Sequence, residues 1–116
     1  MKQKLFIIIR IDYTQKDKAD EAMGFKGQED DILGKTFQEY DGMVTRNGVK
    51  YYYDRYIESA HVVNGEAMRD FIEKKQKMQD DSRYQVLEKG SCSLTARYRS
   101  SGNLVSLILG EGTVEF

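Results

Sequence analysis

The amino-acid sequence has no proline, one cysteine and one histidine among its 116 residues. The single cysteine, Cys92, excludes a disulfide within the chain. Because His61 is the only histidine, a structural zinc site of cysteine and histidine ligands is excluded as well. The sequence also contains no catalytic motif and no cofactor-binding motif. We therefore assign no catalytic residue, no metal ligand and no cofactor.

The chain lacks an excess of either charge and lacks a long apolar run. Its 18 basic and 19 acidic residues give a net charge of −1, which argues against a general nucleic-acid binder. The longest apolar run, residues 5–9, is too short to cross a bilayer. No secretory signal follows Met1, so we expect a cytoplasmic protein without membrane contact.

Length and composition predict one folded domain. At 116 residues the chain has the size of an average domain. Apolar residues make up 40% of it and charged residues 32%, which is typical of a globular protein. No repeat, linker or low-complexity segment interrupts the chain. We predict a single α+β domain over residues 1–116.

The first forty residues predict a strand followed by an interrupted helix. Residues 4–13 open with five consecutive apolar side chains, which suits a central strand that is buried on both faces. Residues 15–40 have helical character, but Gly24 and Gly27 break the pattern. The second helical piece carries an apolar stripe that includes Phe37.

A β-hairpin is predicted at Asn47-Gly48. The dipeptide lies between two β-rich runs, residues 43–46 and 49–53, and is typical of a two-residue type I′ turn, in which both positions need a positive φ. We expect Arg46 to lie opposite Val49. The second strand can extend as far as residue 60.

The second half predicts one helix and then a meander. Residues 64–79 predict a helix that begins at Asn64, a good N-cap residue, and that turns Met68, Phe71, Ile72 and Met78 inward. Strands are predicted at residues 84–89, 91–99, 103–109 and 113–116, with turns at residue 90, 100–102 and 110–112. Gly110 and Gly112 predict a tight turn rather than a dinucleotide-binding loop, because no helix follows them.

The order of these elements is βαββαβ followed by extra C-terminal strands. This order predicts a ferredoxin-like α+β fold, with one antiparallel sheet and helices on one face. The alternative is a more curved sheet wrapped around one helix, with the meander as its main body. The order and the opening residues FIIIRIDY resemble the dimeric ferredoxin-like families, including the small antibiotic-monooxygenase type. The resemblance covers residues 1–90 and implies a fold, but no activity and no site residue.

The apolar side of each periodic segment predicts the core. The predicted core residues are Leu5, Ile7, Ile9, Phe37, Met68, Phe71, Ile72, Leu87, Leu94 and Leu107. Residues 104–109, LVSLIL, are too apolar for an exposed edge and need cover from a helix, a strand or another subunit. We expect a homodimer for that reason.

Residues 49–58 alternate between two faces and include four tyrosines. The face with Tyr51 and Tyr53 is expected to meet the core. The opposite face, with Lys50, Tyr52 and Tyr56, is a candidate partner-binding surface, because tyrosine offers rigid area and a hydroxyl group. The alternative is that tyrosine simply favours strands.

Arg97 and Arg99 share one face of residues 91–99 and are added to the candidate partner-binding set. With Tyr84 and Tyr98 nearby in sequence, they could hold an anion or stack on a base. The simpler alternative is a charged strand face that discourages edge aggregation.

His61 and Cys92 are the two remaining chemical candidates. His61 lies between a predicted strand and a predicted helix, where it would suit a site near a sheet edge, but a general base also needs an orienting partner. We favour a structural role for it. Cys92 alternates with Leu94 and Ala96, which predicts a buried small apolar residue.

The sequence favours a non-enzymatic binding protein that acts through protein–protein contacts, as an inhibitor or adaptor from a phage or mobile element. The alternative is a small dimeric ferredoxin-like enzyme or small-molecule binder that uses His61, Arg10 or a tyrosine in a sheet-side cleft. An RNA- or DNA-binding module is the third class. A pocket with convergent polar groups would favour the small-molecule class, and a flat exposed tyrosine face would favour the first.

Overall fold

The computed structural model of the chain describes residues 1–18 and 41–115. Most of the interrupted helix that was predicted for residues 15–40 lies outside these ranges, and so does the predicted core residue Phe37. Of the part that is described, residues 16–18 are helical. The elements in the described ranges are β1 (Lys2–Gln15), β2 (Gly42–Arg46), β3 (Val49–His61), α1 (Asn64–Asp80), β4 (Tyr84–Lys89), β5 (Ser93–Tyr98) and β6 (Leu104–Glu115).

The strands form one six-stranded antiparallel sheet in the order β2-β3-β1-β6-β5-β4. The predicted ferredoxin-like fold is wrong, because that fold returns the strand after its last helix to the place beside β1. Here β4, which follows α1, forms one edge of the sheet, and β6 lies beside β1. The two strands after β4 are therefore not additions to a βαββαβ core, since β6 takes the place beside β1 and β5 joins it to β4.

The chain divides into two compact units, each with its own packing. One unit consists of Met1–Ile11 and Arg55–Phe116, and the other of Asp12–Asp54. We call them the terminal unit and the hairpin unit. Strands β1 and β3 each pass from one unit to the other.

The hairpin unit confirms the turn predicted at Asn47-Gly48. Asn47 has a φ of 50° and Gly48 a φ of 79°, and Arg46 pairs with Val49 across the turn. Both positive φ values match the right-handed twist of the two strands, which is why this dipeptide specifies the hairpin locally. Tyr51 is buried, as expected, and its ring meets the edge of the Tyr13 ring at a centroid distance of 6.3 Å.

The core of the terminal unit lies between α1 and the sheet. Its buried members are Ile8, Phe71, Met78, Leu94, Ala96, Val105 and Leu107. On α1 the buried stripe is Ala67, Phe71 and Met78, which the helical period places on one face. Three of the predicted core residues, Phe71, Leu94 and Leu107, are buried in it. No helix in the described ranges combines the length and the apolarity needed to cross a bilayer.

Two predicted core residues are exposed. Ile72 is 55% exposed because it lies one position beyond Phe71, about 100° around the helix. Leu87 is 39% exposed, because Val86 packs against the core cluster and strand alternation turns the next residue to the other face.

Strand β1 also differs in detail from its prediction. Ile8 is fully buried, whereas Leu5, Ile7 and Ile9 are half-buried. Ile8 belongs to the core cluster beneath α1, and strand alternation turns its two neighbours to the other face. On α1, the predicted core residue Met68 is likewise half-buried.

Strand β6 is continuous, so the turn predicted at residues 110–112 is wrong. Gly112 lets β1 approach closely, because a Cβ atom there would lie 2.8 Å from Cδ1 of Ile7. The strand is interior to the sheet, between β1 and β5, so residues 104–109 find their cover within the chain. The reason for expecting a homodimer therefore no longer holds.

Cys92 precedes β5 and is exposed, which corrects its predicted burial.

Candidate functional site

A cleft of about 260 Å³ opens in the terminal unit beside the C-terminal half of α1. Five elements and the residue that follows α1 contribute to it, and its lining includes both acidic and basic side chains. Its lining residues are Arg10, Glu58, Lys74, Lys77, Met78, Asp81, Tyr84 and Leu107. We call it the α1 cleft.

Arg10 reaches the cleft from β1 and is held by a tyrosine pair. It lies two positions after the buried Ile8, so strand alternation places it on the core face of β1. Nη2 of Arg10 donates to the hydroxyl of Tyr98 at 2.8 Å, and the hydroxyl of Tyr84 donates to the same oxygen at 3.1 Å. The two rings, paired across β4 and β5, have centroids 4.7 Å apart. These bonds orient the guanidinium at the cleft.

The apolar part of the cleft lining comes from the core. Met78 is 7% exposed and Leu107 is 3% exposed, so both present only a small part of their surface to the cleft. Tyr84 packs against the same core cluster. A ligand in the cleft would meet these apolar groups on one side and charged groups on the other.

Two lysines approach the cleft from α1, and each has an acidic neighbour one turn earlier. Nζ of Lys74 lies 3.1 Å from Oδ1 of Asp70, and Nζ of Lys77 lies 3.5 Å from Oε1 of Glu73. The second pair is largely exposed and contributes little to stability. The first is half-buried and belongs to a larger cluster.

The acidic residues of the cleft differ in their surroundings. Asp81 accepts from Nε and Nη2 of Arg83, and this hydrogen bonding lowers the pKa of Asp81 to about 2. Its charge is therefore already matched by a cation. Glu58 is exposed, and its carboxylate forms no hydrogen bond or ion pair within the described ranges.

Asp70 is the centre of a polar cluster that joins β3 to α1. The hydroxyl of Ser59 donates to Oδ2 of Asp70 at 2.7 Å, and Nε2 of His61 lies 2.7 Å from the same oxygen. The bonds from Ser59, and then those from His61 and Lys74, lower the pKa of Asp70 to about 2 despite partial burial. Since an ionised carboxylate only accepts, Nε2 of His61 must carry the proton in this contact.

The same three residue types make up a hydrolytic triad, but their order here is different. In a triad the histidine lies between the serine and the acid. Here Asp70 lies between Ser59 and His61, and the serine hydroxyl donates to the acid. The arrangement fits a strand-to-helix tie, in agreement with the structural role expected for His61. It also anchors Lys74 at the cleft.

The predicted partner-binding residues fall in both units. In the hairpin unit, Lys50 is exposed and pairs with Thr45, while Tyr52 is half-buried with Nζ of Lys16 at 5.8 Å from its ring centroid. Tyr52 is therefore less open than the alternation predicted. Neither residue lines the α1 cleft.

The other three predicted residues belong to the terminal unit. Tyr56 is 40% exposed. Arg97 is half-buried and pairs with Gln85 and Leu104, whereas Arg99 is exposed and its backbone N–H donates to the carbonyl of Arg83 at 2.9 Å. None of the three lines the α1 cleft.

Arg10 and Tyr84 of the cleft were candidates from the sequence, but the α1 contributions were missed. Lys74 and Lys77 look like an ordinary solvated helix face in the sequence. The spacing of four between Asp70 and Lys74 was an available signal, since such pairs share a helix face. That this pair meets His61 could not be seen from spacing.

Within the described residues, no group of three or more histidine, cysteine or acidic side chains could hold a metal ion. Comparison of the chain with family models, curated proteins and solved structures gives no match. The geometry of the site is therefore the only indication of function in the described part of the chain.

Proposed function

We propose that this protein is a non-enzymatic binding protein that holds a small organic molecule in the α1 cleft. The observation that supports this is the convergence of Arg10, Lys74 and Tyr84 above an apolar lining of Met78 and Leu107. Ligand sites combine an apolar lining with a few oriented polar groups in this way. A concave site of this kind favours a small molecule over the flat tyrosine surface that the sequence suggested.

The size of the cleft limits its occupant. Ligand sites usually measure about 300–1,000 Å³, and the α1 cleft, at about 260 Å³, lies just below that range. A metabolite of the size of an amino acid or a short-chain acid fits this space.

The polar groups near the cleft support binding rather than catalysis. A general base works best when its pKa lies near the operating pH, and the pKa of Asp70 is held at about 2. Ser59 donates to this carboxylate, so His61 is not positioned to accept its proton. Asp81 is likewise held in an ion pair with Arg83.

A fragment screen followed by protein NMR tests the proposal. We expect fragments with a charged group to shift the backbone amides of Lys74, Met78 and Tyr84. Arg10→Met should weaken such binding about ten-fold, since hydrogen bonds to charged groups contribute about 1.5–3 kcal/mol. The control is Lys89→Met, which removes a lysine that bonds Gln79 away from the cleft. If no fragment shifts the cleft amides, the proposed function is wrong.

Protein binding is the second candidate, and exposed apolar side chains at the end of β3 favour it. Tyr56 is 40% exposed and Ile57 is 61% exposed, and Val62 and Val63 are also exposed. Exposed apolar residues that lie together mark contact surfaces, and such a surface would serve an inhibitor or adaptor. Tyr56 of the predicted set lies on the opposite face of β3 from Ile57.

The second candidate is tested with the double variant Ile57→Ser and Val63→Ser. A partner captured by the parent chain, and identified by mass spectrometry, should be lost with the variant at an unchanged melting temperature. Equal recovery with both chains would exclude this surface. A second copy of the chain is one such partner, and light scattering that gives 13.4 kDa at high concentration would exclude it.

A further inference from the structure

We propose that two copies of this chain pair along the outer edge of β3, in an antiparallel two-fold contact that is centred on Ile57. Such a dimer does not depend on a ligand in the α1 cleft. It rests on the second candidate function, protein binding, and identifies the partner as a second copy of the chain. Three features of the sheet support it: an open edge with an exposed apolar side chain, a protected opposite edge, and a self-complementary sequence.

The outer edge of β3 continues beyond the end of its partner β2. The register of β2 with β3 extends from Val49 to Tyr53, whereas β3 continues to His61. Beyond Tyr53, no strand in the described ranges pairs with that side, since β1 lies on the other side. Ile57, in the middle of this stretch, is 61% exposed. An edge that carries an exposed apolar side chain is a template for pairing with another strand.

Strand β4, the other edge of the terminal unit, is protected against such pairing. Its register with β5 shifts in mid-strand, and a bulge at an edge hinders pairing with another chain. Side chains also connect the end of this strand to α1. Nζ of Lys75 donates to the carbonyl of Gly90 at 2.9 Å, and Nζ of Lys89 donates to Oε1 of Gln79 at 3.0 Å. Of the two edges, β3 is therefore the one suited to a partner strand.

Backbone geometry selects the residues whose N–H and C=O groups face the outer edge of β3. Arg46 and Val49 close a two-residue hairpin, and such a pair exchanges both of its backbone hydrogen bonds. Val49 therefore directs its backbone groups to the side of β2. The carbonyl of Tyr53 does the same, since it accepts from the N–H of Asp41 at 2.9 Å. Alternation gives Ile57 this direction too, so each copy can donate from its Ile57 N–H to the Ile57 carbonyl of the other copy.

The sequence around Ile57 is compatible with a second copy of itself in this register. The opposed residues are Ile57 with Ile57, Arg55 with Ser59, and Tyr56 with Glu58. No two like charges lie directly opposite one another, and the most exposed side chain of the stretch meets its own copy. The tyrosine hydroxyl is a donor and the opposing carboxylate an acceptor, so the charged ends of the contact are also matched.

The two adjacent registers that keep the same backbone groups aligned are less favourable. A contact centred on Arg55 would place two arginines opposite each other, which destabilises a strand pair. A contact centred on Ser59 would place Ile57 opposite His61, whose ring is held against Asp70 of α1 at 2.7 Å. The isoleucine would then have no apolar residue opposite it. Ile57 is therefore the centre that the sequence favours.

Sedimentation equilibrium of the full chain, at concentrations up to about 1 mM, measures the dimer. We expect the mass to rise with concentration from 13.4 kDa towards twice that value. Ile57→Lys should weaken dimerisation at least about ten-fold, because it places two like charges opposite each other. Leu87→Lys is the matched control, since it makes the same kind of change at a 39% exposed side chain of β4. It should dimerise as the parent chain does.

A pair of variants at Tyr56 tests the register. Tyr56→Lys brings a cation opposite Glu58, whereas Tyr56→Glu brings an anion there, and both remove the same tyrosine. The contact occurs twice across the two-fold axis, so Tyr56→Glu should dimerise about ten-fold more weakly than Tyr56→Lys. The difference should become smaller in about 1 M salt, which screens exposed charges. Unchanged far-UV circular dichroism shows that the variants are folded.

Each result decides for or against the dimer separately from the ligand proposal. A mass of 13.4 kDa at every concentration overturns the dimer and leaves the α1 cleft proposal in place. A dimer that Ile57→Lys does not weaken, or that Leu87→Lys weakens equally, uses another surface and contradicts the β3 contact. Equal dimerisation of the two Tyr56 variants excludes the register centred on Ile57. A monomer that captures a different protein through Ile57 retains the second candidate function but excludes a second copy as its partner.

Discussion

Asp70 shows how one residue can combine a structural and a functional task. Its Oδ2 atom joins Ser59 and His61 of β3 to α1, and its Oδ1 atom holds Lys74 at the cleft. Both tasks require the ionised carboxylate. The pKa of about 2 keeps the group ionised at any pH at which the protein is expected to work.

The stabilising effect of Asp70 should disappear in acid. Its folded pKa, about 2, lies below the ordinary value of 3.8, so its contribution is present above about pH 4 and is lost as the pH falls through 2. Asp70→Asn should therefore lower the free energy of unfolding by about 1 kcal/mol at pH 6, discounted for partial exposure. At pH 2 the two chains should be nearly equal.

Urea denaturation at both pH values measures this difference. Glu73→Gln is the control, because Glu73 forms only an exposed pair with Lys77 and should change stability little at either pH. An equal loss for Asp70→Asn at pH 6 and pH 2 would show that its charge is not the cause.

At the scale of one element, residues that are adjacent in the sequence of α1 lie on different faces of the helix. Phe71 is fully buried, whereas Ile72 is 55% exposed. Phe71→Ala should cost about 3–5 kcal/mol in the free energy of unfolding, as cavity-forming substitutions do. Ile72→Ala should cost less than about 1 kcal/mol. Similar losses for both variants in denaturant titration would mean that the helix presents a different face to the sheet.

Strand β6 allows a test of close packing at its two glycines. A Cβ atom at Gly112 would lie 2.8 Å from Cδ1 of Ile7, whereas one at Gly110 would lie 3.9 Å from Cδ1 of Ile9. Gly110→Ala should be stabilising by about 0.5 kcal/mol, because alanine restricts the unfolded chain. Gly112→Ala should be less stable than Gly110→Ala by about 1 kcal/mol, because Ile7 must move.

The double variant Gly112→Ala with Ile7→Val identifies the cause, since valine lacks the Cδ1 atom. The penalty of Gly112→Ala should vanish when it is measured in the Ile7→Val chain, by thermal or urea unfolding. A penalty that persists there would assign it to the backbone of β6 instead of the contact with β1.

The elements that sequence predicted well are those with a local cause. Asn47-Gly48 needs no distant contact to define its turn, and the stripe containing Phe71 follows from the helical period. The prediction that Leu87 is buried was wrong because Val86 and Leu87 are both apolar, and the pattern does not decide which of the two faces the core. The turn predicted at Gly112 was wrong because glycine permits either a turn or a close approach of another strand, and only the position of Ile7 decides between them. The sequence predicted only part of the cleft. Arg10 is conspicuous as a charged residue in an apolar strand, whereas Lys74 cannot be distinguished by sequence from any other solvent-exposed lysine of a helix.

At the scale of the whole molecule, the decisive contact is the pairing of β1 with β6. The sequence pattern could not reveal it, because strand order depends on contacts between distant segments rather than on local propensity. Interior strands are also the last to open, whereas an edge strand such as β4 exchanges readily with solvent. The sheet order predicts a measurable gradient of protection from β6 to β4.

Amide hydrogen exchange tests this gradient. The amides of β6 that pair with β5 should exchange at least about 100-fold more slowly than outward-facing amides of β4, close to the rate set by global unfolding. Equal exchange in the two strands would contradict the interior position of β6.

Strand β6, one of the two neighbours of β1 in the sheet, is synthesised long after β1. Strand β6 begins at Leu104 and β1 ends at Gln15, so at about 5–20 residues per second the ribosome needs roughly five to twenty seconds between them. During that interval one edge of the isoleucine-rich β1 lacks its partner strand β6, and an unpaired edge can pair with another chain. The order of the strands in the sheet thus leaves the growing chain with an open edge that the folded sheet closes.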